Sequence, residues 1–149
     1  MIIKKIIPLF LVVVLFLSSP LCVHATEQDQ PFFTETTVLD NGFTIIDEFY
    51  EISIQRASSK YGKVVRTIQS EETLIAVIEL VARFQYDGST VTVLEKTVTR
   101  ADTYNGWQYS QTSLTSSGGT VTLLFKVKKS VMIFPYSLNI TCDVNGNLS

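Results

Sequence analysis

The chain has 149 residues, with 12 basic and 14 acidic side chains, a formal net charge of −2, one histidine and two cysteines. A mixed, slightly acidic composition argues against nucleic acid or an anionic membrane as a partner, because both attract strongly basic surfaces. The scarcity of imidazole and thiol groups also limits the catalytic and metal chemistry that is open to the protein.

The first 25 residues have the pattern of a secretory signal peptide. Lys4 and Lys5 form a basic start, residues 6–17 are an apolar run, and Val23-His24-Ala25 offers a small-residue cleavage site. The apolar run is shorter than the ~20 residues that a membrane-spanning helix needs. We therefore predict a signal peptide over residues 1–25, secretion to the extracellular space and no membrane association after cleavage. An uncleaved anchor is the alternative.

Removal of residues 1–25 leaves 124 residues, enough for one domain with a single core. The only histidine, His24, and the first cysteine, Cys22, leave with the signal peptide. The mature chain then has no imidazole and cannot form an intrachain disulfide, so its stability depends on core packing. We expect a flexible N-terminal segment over residues 26–33 and a single β-sandwich domain over residues 34–149.

Turn signals recur along the mature chain and separate runs that are rich in Thr, Val, Ile, Tyr and Phe. Asn-Gly, Asp-Gly and Gly-Gly pairs supply the positive φ angles that tight hairpins require. The signals are Asp40-Asn41-Gly42, Asp87-Gly88-Ser89, Asn105-Gly106, Ser116-Ser117-Gly118-Gly119 and Asn145-Gly146. This punctuation is typical of an all-β domain.

The clearest predicted strand runs from Thr73 to Tyr86, where every even position is apolar and the odd positions include Glu79 and Arg83. A period of two places one face in the core and the other in water. The alternative is a helix that begins at Ser70, with acidic residues in its first turn. The alternation favours a strand.

The other predicted strands are shorter. In residues 42–54, Ile46, Tyr50, Ile52 and Ile54 share one face, and further strands are expected over residues 63–69, 90–100, 107–115, 120–128 and 131–142. Seven or eight short strands with turns at regular spacing predict an antiparallel two-sheet sandwich of Ig-like architecture.

Five stretches of the chain carry a resemblance: "VLDNGFTI", "QRASSK", "ARFQYDGSTVT", "NGWQYSQTSLTSSGGTVT" and the ending "LNITCDVNGNLS". Together they resemble a group of small secreted all-β proteins from Gram-positive, Firmicutes-type bacteria. The resemblance spans nearly the whole mature chain, but the residues that carry it belong to predicted strands and turns and include no catalytic motif. It implies a secreted all-β fold and a bacterial source, and no activity.

The sequence offers little for catalysis or metal binding. A serine or cysteine nucleophile needs a general base, and the mature chain has no histidine. Cys142 is in phase with Leu138 and Ile140, which is typical of an inert core thiol. Asp143–Asn147 places oxygen ligands at alternate positions like a calcium loop, yet its glycine and distal acid do not fit, so a closing turn is expected. We predict no cofactor, no metal and no catalytic residues.

Paired carboxylates are the remaining route to an enzyme, because glycoside hydrolysis needs two acids across a cleft. The candidates are Asp47, Glu48 and Glu51, or Glu71 and Glu72. Charged residues at such positions are ordinarily solvated, and we expect that here.

The only tryptophan, Trp107, directly follows an Asn-Gly turn and has Tyr104 and Tyr109 on either side. Strand alternation puts Trp107 and Tyr109 on one face, which is then the core face of a sandwich. The alternative is that Tyr104, Trp107 and Tyr109 form an open ring platform that binds a sugar or a protein.

These observations predict a secreted, non-catalytic interaction module that binds a glycan or a protein at a cell surface, with Tyr104, Trp107 and Tyr109 as candidate ligand-binding residues. One alternative is an exported effector or bacteriocin-like protein that acts on other cells. Others are a small carboxylate-dependent glycan hydrolase and a structural coat or matrix subunit.

The cleavage site can be tested directly. When the full chain is expressed in a Gram-positive host, the protein recovered from the medium should begin at Thr26 by N-terminal sequencing and intact mass. A lysine-free start, in which Lys4 and Lys5 are replaced by glutamine, should reduce the released fraction. Release of the uncut chain into the medium, or retention of the uncut chain by the cells, would contradict the prediction.

Overall fold

The computed structural model describes residues 26–27, 30–53 and 58–149, and in these residues the protein consists of nine antiparallel strands. The predicted signal peptide and Ile54 lie outside the described residues, as do Gln55 to Ala57 of the resembling stretches. The strands are β1 (Thr26–Glu27), β2 (Phe33–Val38), β3 (Phe43–Ser53), β4 (Ser59–Ser70), β5 (Thr73–Tyr86), β6 (Val91–Thr103), β7 (Gln108–Ser117), β8 (Thr120–Lys129) and β9 (Met132–Thr141).

The strands form two sheets. The first has six strands in the order β1-β3-β4-β5-β6, with β2 also paired to β3, and the second has three strands in the order β7-β8-β9. From β3 to β6 and from β7 to β9, each strand pairs with the next one along the chain. The predicted all-β, two-sheet antiparallel sandwich is confirmed, with the two-residue β1 added to eight longer strands.

The core is the apolar layer between the two sheets. β5 contributes Ile78, Leu80 and Phe84, and β8 contributes Leu123 and Phe125, all of them almost completely buried. Seventeen buried residues from both sheets belong to this single cluster. One layer that draws on both sheets is what a sandwich of this size needs to be stable without a disulfide.

β5 extends from Thr73 to Tyr86, as predicted, and the helical alternative is wrong. Its even positions from Ala76 to Phe84 are buried. Ile75 and Val77 at odd positions are buried as well. Ile75 is the extra residue of a β-bulge, because the β4–β5 register passes from Ile68↔Ala76 to Gln69↔Leu74, and it belongs to the core cluster. Val77 is on the outer face of β5, which lies between β4 and β6 in the larger sheet.

The predicted inward face of β3 is wrong by one residue. Ile46, Tyr50 and Ile52 are half-buried, whereas Phe43 and Phe49 on the opposite face are buried. The opposite face contains Asp47, which made it look like the solvent side in the sequence. Asp47 is nevertheless buried, because its charge is matched inside the sandwich.

The partner of Asp47 is Arg66 on β4, directly opposite in the register. The Nε and Nη2 groups of Arg66 donate to the two carboxylate oxygens of Asp47 at 2.7 and 2.5 Å. The Nη1 group donates to the backbone carbonyl of Ser137 on β9 at 2.7 Å. One guanidinium therefore joins two strands of the first sheet to an edge strand of the second in a bidentate, charge-assisted arrangement.

Gly62 marks a close approach of the two sheets. A Cβ at this position would lie 2.5 Å from Cδ1 of Ile140 and 3.2 Å from the side chain of Leu148. Leu148 is held in place because Ser149 exchanges two backbone hydrogen bonds with Thr141. The C-terminal residues thus extend the edge of β9 and cover the start of β4.

The N-terminal segment over residues 26–33 is described only in part. Thr26 and Glu27 pair with Ser53 and Ile52 of β3, and Phe33 is the first residue of β2. All six residues of β2 are exposed, because β2 lies beyond the edge of the smaller sheet. The flexibility of this segment stays a prediction.

The Asp47–Arg66 pair predicts a specific pattern of stability. Asp47→Leu or Arg66→Met alone should lower the free energy of unfolding by about 3–5 kcal/mol, because each leaves an uncompensated buried charge or hydrogen-bonding group. The double variant should cost much less than the sum of the two. Urea denaturation followed by Trp107 fluorescence measures all three. Strictly additive single effects would show that the two side chains are not coupled.

Candidate functional site

Trp107 is placed by a tight turn that connects the two sheets. The backbone N–H of Trp107 donates to the carbonyl of Tyr104 at 3.0 Å, and Asn105 and Gly106 both have positive φ, 55° and 79°. Asn-Gly is the pair that tolerates two successive left-handed residues, which explains the local sequence. The turn is anchored to β5, because Asn105 Nδ2 donates to the carbonyl of Leu74.

The indole of Trp107 is half-buried and closes one end of the core. It meets Phe43 edge-on at 5.8 Å between ring centroids and lies 5.9 Å from Phe134. Phe43 and Phe134 also contact each other at 4.8 Å. Phe43 belongs to the first sheet and Phe134 to the second, so Trp107, in the turn between the sheets, closes the gap between them. This packing agrees with a core side chain rather than an open platform.

Tyr104 and Tyr109 are held by other partners. Tyr109 packs on Phe125 at 5.5 Å, and burial raises the pKa of its phenol. The hydroxyl of Tyr104 accepts a hydrogen bond from Arg100 Nη2 at 3.3 Å. Within the described part of the chain, no ring contact joins any two of the three predicted residues. Their role in ligand binding stays a prediction, and the structure does not assemble them into one platform.

The expectation that the candidate carboxylates are solvated is wrong for Asp47. Both of its oxygens accept hydrogen bonds from Arg66 inside the sandwich, so Asp47 is not available as one of two acids across a cleft. Glu51 forms an ion pair with Lys60 at 3.0 Å. Glu71 and Glu72 are exposed in the β4–β5 turn, where Glu71 has a φ of 54°.

The two remaining sequence candidates have structural roles. Cys142 is buried, and burial raises the pKa of its thiol, which disfavours the reactive thiolate. Asp143 receives hydrogen bonds from the backbone N–H groups of Asn145 and Asn147 and from the Asn147 side chain, which together lower its pKa. Asp143–Asn147 is therefore the expected closing turn. No metal-binding cluster of carboxylate, thiol and imidazole groups occurs in residues 26–27, 30–53 and 58–149.

The most unusual surface feature is the tip of the β8–β9 hairpin. Three consecutive aliphatic residues are exposed there, Val131 by 91%, Met132 by 45% and Ile133 by 56%. The two-residue turn itself is Ser130-Val131, because Lys129 pairs with Met132. Single exposed apolar residues are common on protein surfaces, but a run of three at a turn indicates a contact surface.

The outer face of β8 and β9 continues this tip. Phe125 and Val127 point into the core, so Lys126 and Lys128 point outward. In the register, Lys126 is opposite Pro135 and Lys128 is opposite Ile133. We call this surface the hairpin face. It consists of Leu124, Lys126, Lys128, Ile133 and Pro135 on the outer side, with Lys129, Val131 and Met132 at the turn.

A shallow groove of about 350 Å³ lies on the hairpin face, lined mainly by apolar atoms. Leu124, Lys126 and Pro135 line it together with Thr112. The β7–β8 register shifts between Gln111 and Ser113, so Thr112 is the extra residue of a β-bulge. The bulge also reverses the alternation, which turns Leu114 inward opposite Leu123. The groove gives the hairpin face a concave apolar area beside its lysines.

The hairpin face was not found by sequence reasoning, although the sequence carries a signal for it. Residues 104–142 contain three lysines and no aspartate or glutamate, while the chain as a whole is acidic. These residues include the whole second sheet, so the acidic side chains of the described residues lie in the first sheet and its turns, and at Asp143 in the closing turn. Charge asymmetry between two parts of a chain indicates an interaction surface. The total charge, which we used, conceals it.

Comparisons with known proteins add no assignment. A search of protein families, of curated proteins and of solved structures found no match to this chain. No helix in the described residues is long and apolar enough to cross a membrane. The function is therefore inferred from the surfaces of the protein itself.

The packing of Trp107 can be tested by truncation. Trp107→Ala should lower the free energy of unfolding by about 2–3 kcal/mol, because a half-buried indole between Phe43 and Phe134 is replaced by a gap. Tyr104→Phe is the matched control and should cost less than about 0.5 kcal/mol, since it removes one exposed hydrogen bond. Urea titration followed by far-UV circular dichroism reports both. An unchanged stability in Trp107→Ala would mean that the ring is free for a ligand.

Proposed function

We propose that the protein is a secreted, non-catalytic interaction module that contacts a cell surface through its hairpin face. The exposure of Val131, Met132 and Ile133 next to three lysines carries this proposal. Aliphatic side chains at a turn contribute nothing to the core, so their exposure to water is a cost that a binding partner would remove. The resemblance to small secreted bacterial proteins supports an extracellular setting.

The non-catalytic part of the proposal is supported by the residues themselves. Residues 26–149 contain no histidine, and the one cysteine among them is buried. Asp47, the central residue of one predicted carboxylate group, is neutralised by Arg66. The protein is therefore suited to contact a partner through its surface and not to carry out a reaction.

A second candidate function is an exported effector, bacteriocin-like, that acts on other cells. This function requires a hydrophobic patch on the surface, and the tip at Val131 to Ile133 is such a patch. Growth inhibition of related bacteria by the purified protein separates the two functions. An interaction module binds to cells without harming them, whereas an effector stops their growth in a tip-dependent manner.

The proposal predicts binding to intact cells that depends on the hairpin. Labelled protein should be retained on washed Gram-positive cells, and Val131→Asp should reduce the retained amount at least about tenfold, because the cost of burying a charge is added to the loss of apolar contact. Leu94→Asp is the matched control, since Leu94 is an exposed aliphatic residue on β6 of the other sheet.

Leu94→Asp should leave retention within about twofold of the original protein, as expected for a surface change outside the binding site. Circular dichroism and urea titration confirm that both variants are folded. Equal loss of retention in the two variants, or no retention of the original protein, would contradict a specific role for the hairpin face.

A further inference from the structure

We propose that the hairpin face docks onto an anionic lipid surface. In this arrangement Val131 and Ile133 enter the headgroup region, and Lys126 and Lys128 lie against the phosphates. The inference rests on the proposed function and specifies its partner. It also departs from the expectation that a slightly acidic chain does not bind an anionic membrane. A lipid surface contacts only one face of the protein, so the charge of that face matters and not the total charge.

The tip of the β8–β9 hairpin provides the apolar component of the docking surface. Val131 is the most exposed of the large apolar residues in the described chain, and it lies in the two-residue turn at the very end of the hairpin. The β8–β9 ladder satisfies the backbone groups of the strands on either side. A hairpin tip of this kind places aliphatic side chains into a membrane interface with few unsatisfied backbone groups.

The lysines of the hairpin face lie beside its exposed aliphatic side chains. Lys126 and Lys128 point outward on the same face as Ile133, so the cationic and aliphatic groups meet a planar surface together. Among the described residues, none of the three lysines forms an ion pair, although Lys129 Nζ lies 5.9 Å above the Trp107 ring. Each lysine near an anionic membrane strengthens partitioning by about fivefold, and long lysine stems let the ammonium groups stay in water.

The first sheet opposes this attraction, which fixes the orientation of docking. Glu71 and Glu72 lie in the β4–β5 turn, and Ser70 pairs with Phe43, so this turn is at the same end as Trp107. The two sheets are about 10 Å apart, close to a Debye length at physiological salt. Docking through the outer face of the second sheet keeps these carboxylates on the far side of the molecule.

Lipid fits this surface better than a soluble polyanion or a nucleic acid does. A polyanion would use the lysines but would leave Val131 and Ile133 in water. Nucleic-acid binding favours arginine and open aromatic rings, whereas residues 104–142 contain no arginine and Trp107 packs against Phe43 and Phe134. A lipid surface, with an anionic layer over an apolar one, uses both components.

The test is vesicle flotation of the protein expressed from the full chain, with the same N-terminus in every variant. Vesicles of phosphatidylglycerol and phosphatidylcholine in equal parts should bind the protein, and vesicles of phosphatidylcholine alone should bind it far less. Lys126→Gln with Lys128→Gln should lower the partition coefficient about 25-fold. Val131→Asn with Ile133→Asn should lower it at least about tenfold.

Two matched controls separate the hairpin face from general surface effects. Leu94→Asn replaces an exposed aliphatic residue on the other sheet and should leave partitioning unchanged. Glu71→Gln with Glu72→Gln changes two charges of the opposite sign and should not weaken binding. Circular dichroism verifies the fold of each variant before flotation.

The outcomes distinguish this inference from the proposed function. Equal binding to both vesicle types, or equal binding by the Val131 and Ile133 variant, overturns lipid docking. Competition by soluble polyphosphate or an oligonucleotide that is as strong for this variant as for the original protein overturns it in favour of a polyanion site. If vesicles are not bound but cells still retain the protein through Val131, the lipid inference falls and the interaction module stands. If both are lost, both fall.

Discussion

The sandwich depends on a single apolar layer between two unequal sheets, and on one charged side chain that crosses this layer. Arg66 extends from the first sheet, takes up both oxygens of Asp47 and reaches the carbonyl of Ser137 on the second sheet. Apolar packing is non-directional and allows neighbouring faces to slide. A bidentate ion pair combined with a hydrogen bond to one carbonyl has a fixed geometry. It therefore holds β9 over β4 in one position.

The unequal size of the sheets determines which surfaces are left for function. The six-stranded sheet has its inner face largely covered, while β2 extends beyond the smaller sheet and is exposed on both sides. The three-stranded sheet has only one covered face, and its outer face carries the lysines and the groove of the hairpin face. Because residues 104–142 lack carboxylates, the lysines of this outer face have no acidic side chain beside them within the second sheet.

Trp107 lies at the end of the sandwich from which the β8–β9 hairpin extends. Its indole closes the core between Phe43 and Phe134, and Lys129 lies above the ring at the base of the hairpin. The ring thus supports the end of the sandwich from which the hairpin extends. Sequence reasoning gave Trp107 two roles, a core side chain or a binding ring. The structure supports the first, because the indole packs between Phe43 and Phe134, and a role of the ring in ligand binding stays a prediction.

Much of the fold could be read from alternation. β5 and β8 were predicted with the correct inward faces, because every even position of β5 is apolar and Val121, Leu123, Phe125 and Val127 of β8 are in phase. The same rule failed on β3, where the inward Asp47 is neutralised by a residue 19 positions away. It also failed beyond Thr112, where a bulge shifts the phase of β7. A charge partner on another strand and an extra residue in a ladder leave no trace in local periodicity.

The sequence by itself determined the fold class, the turns and the limits on chemistry, because these follow from residue types and their spacing within one strand or turn. Only the tertiary structure decided which polar groups are buried, that the candidate rings are held apart, and that lysines and aliphatic side chains share one outer face. The physical reason is that burial and neighbourhood depend on which strands pair and on which sheet covers which. The hairpin face exists because a three-stranded sheet covers the core with one side and leaves the other to the solvent.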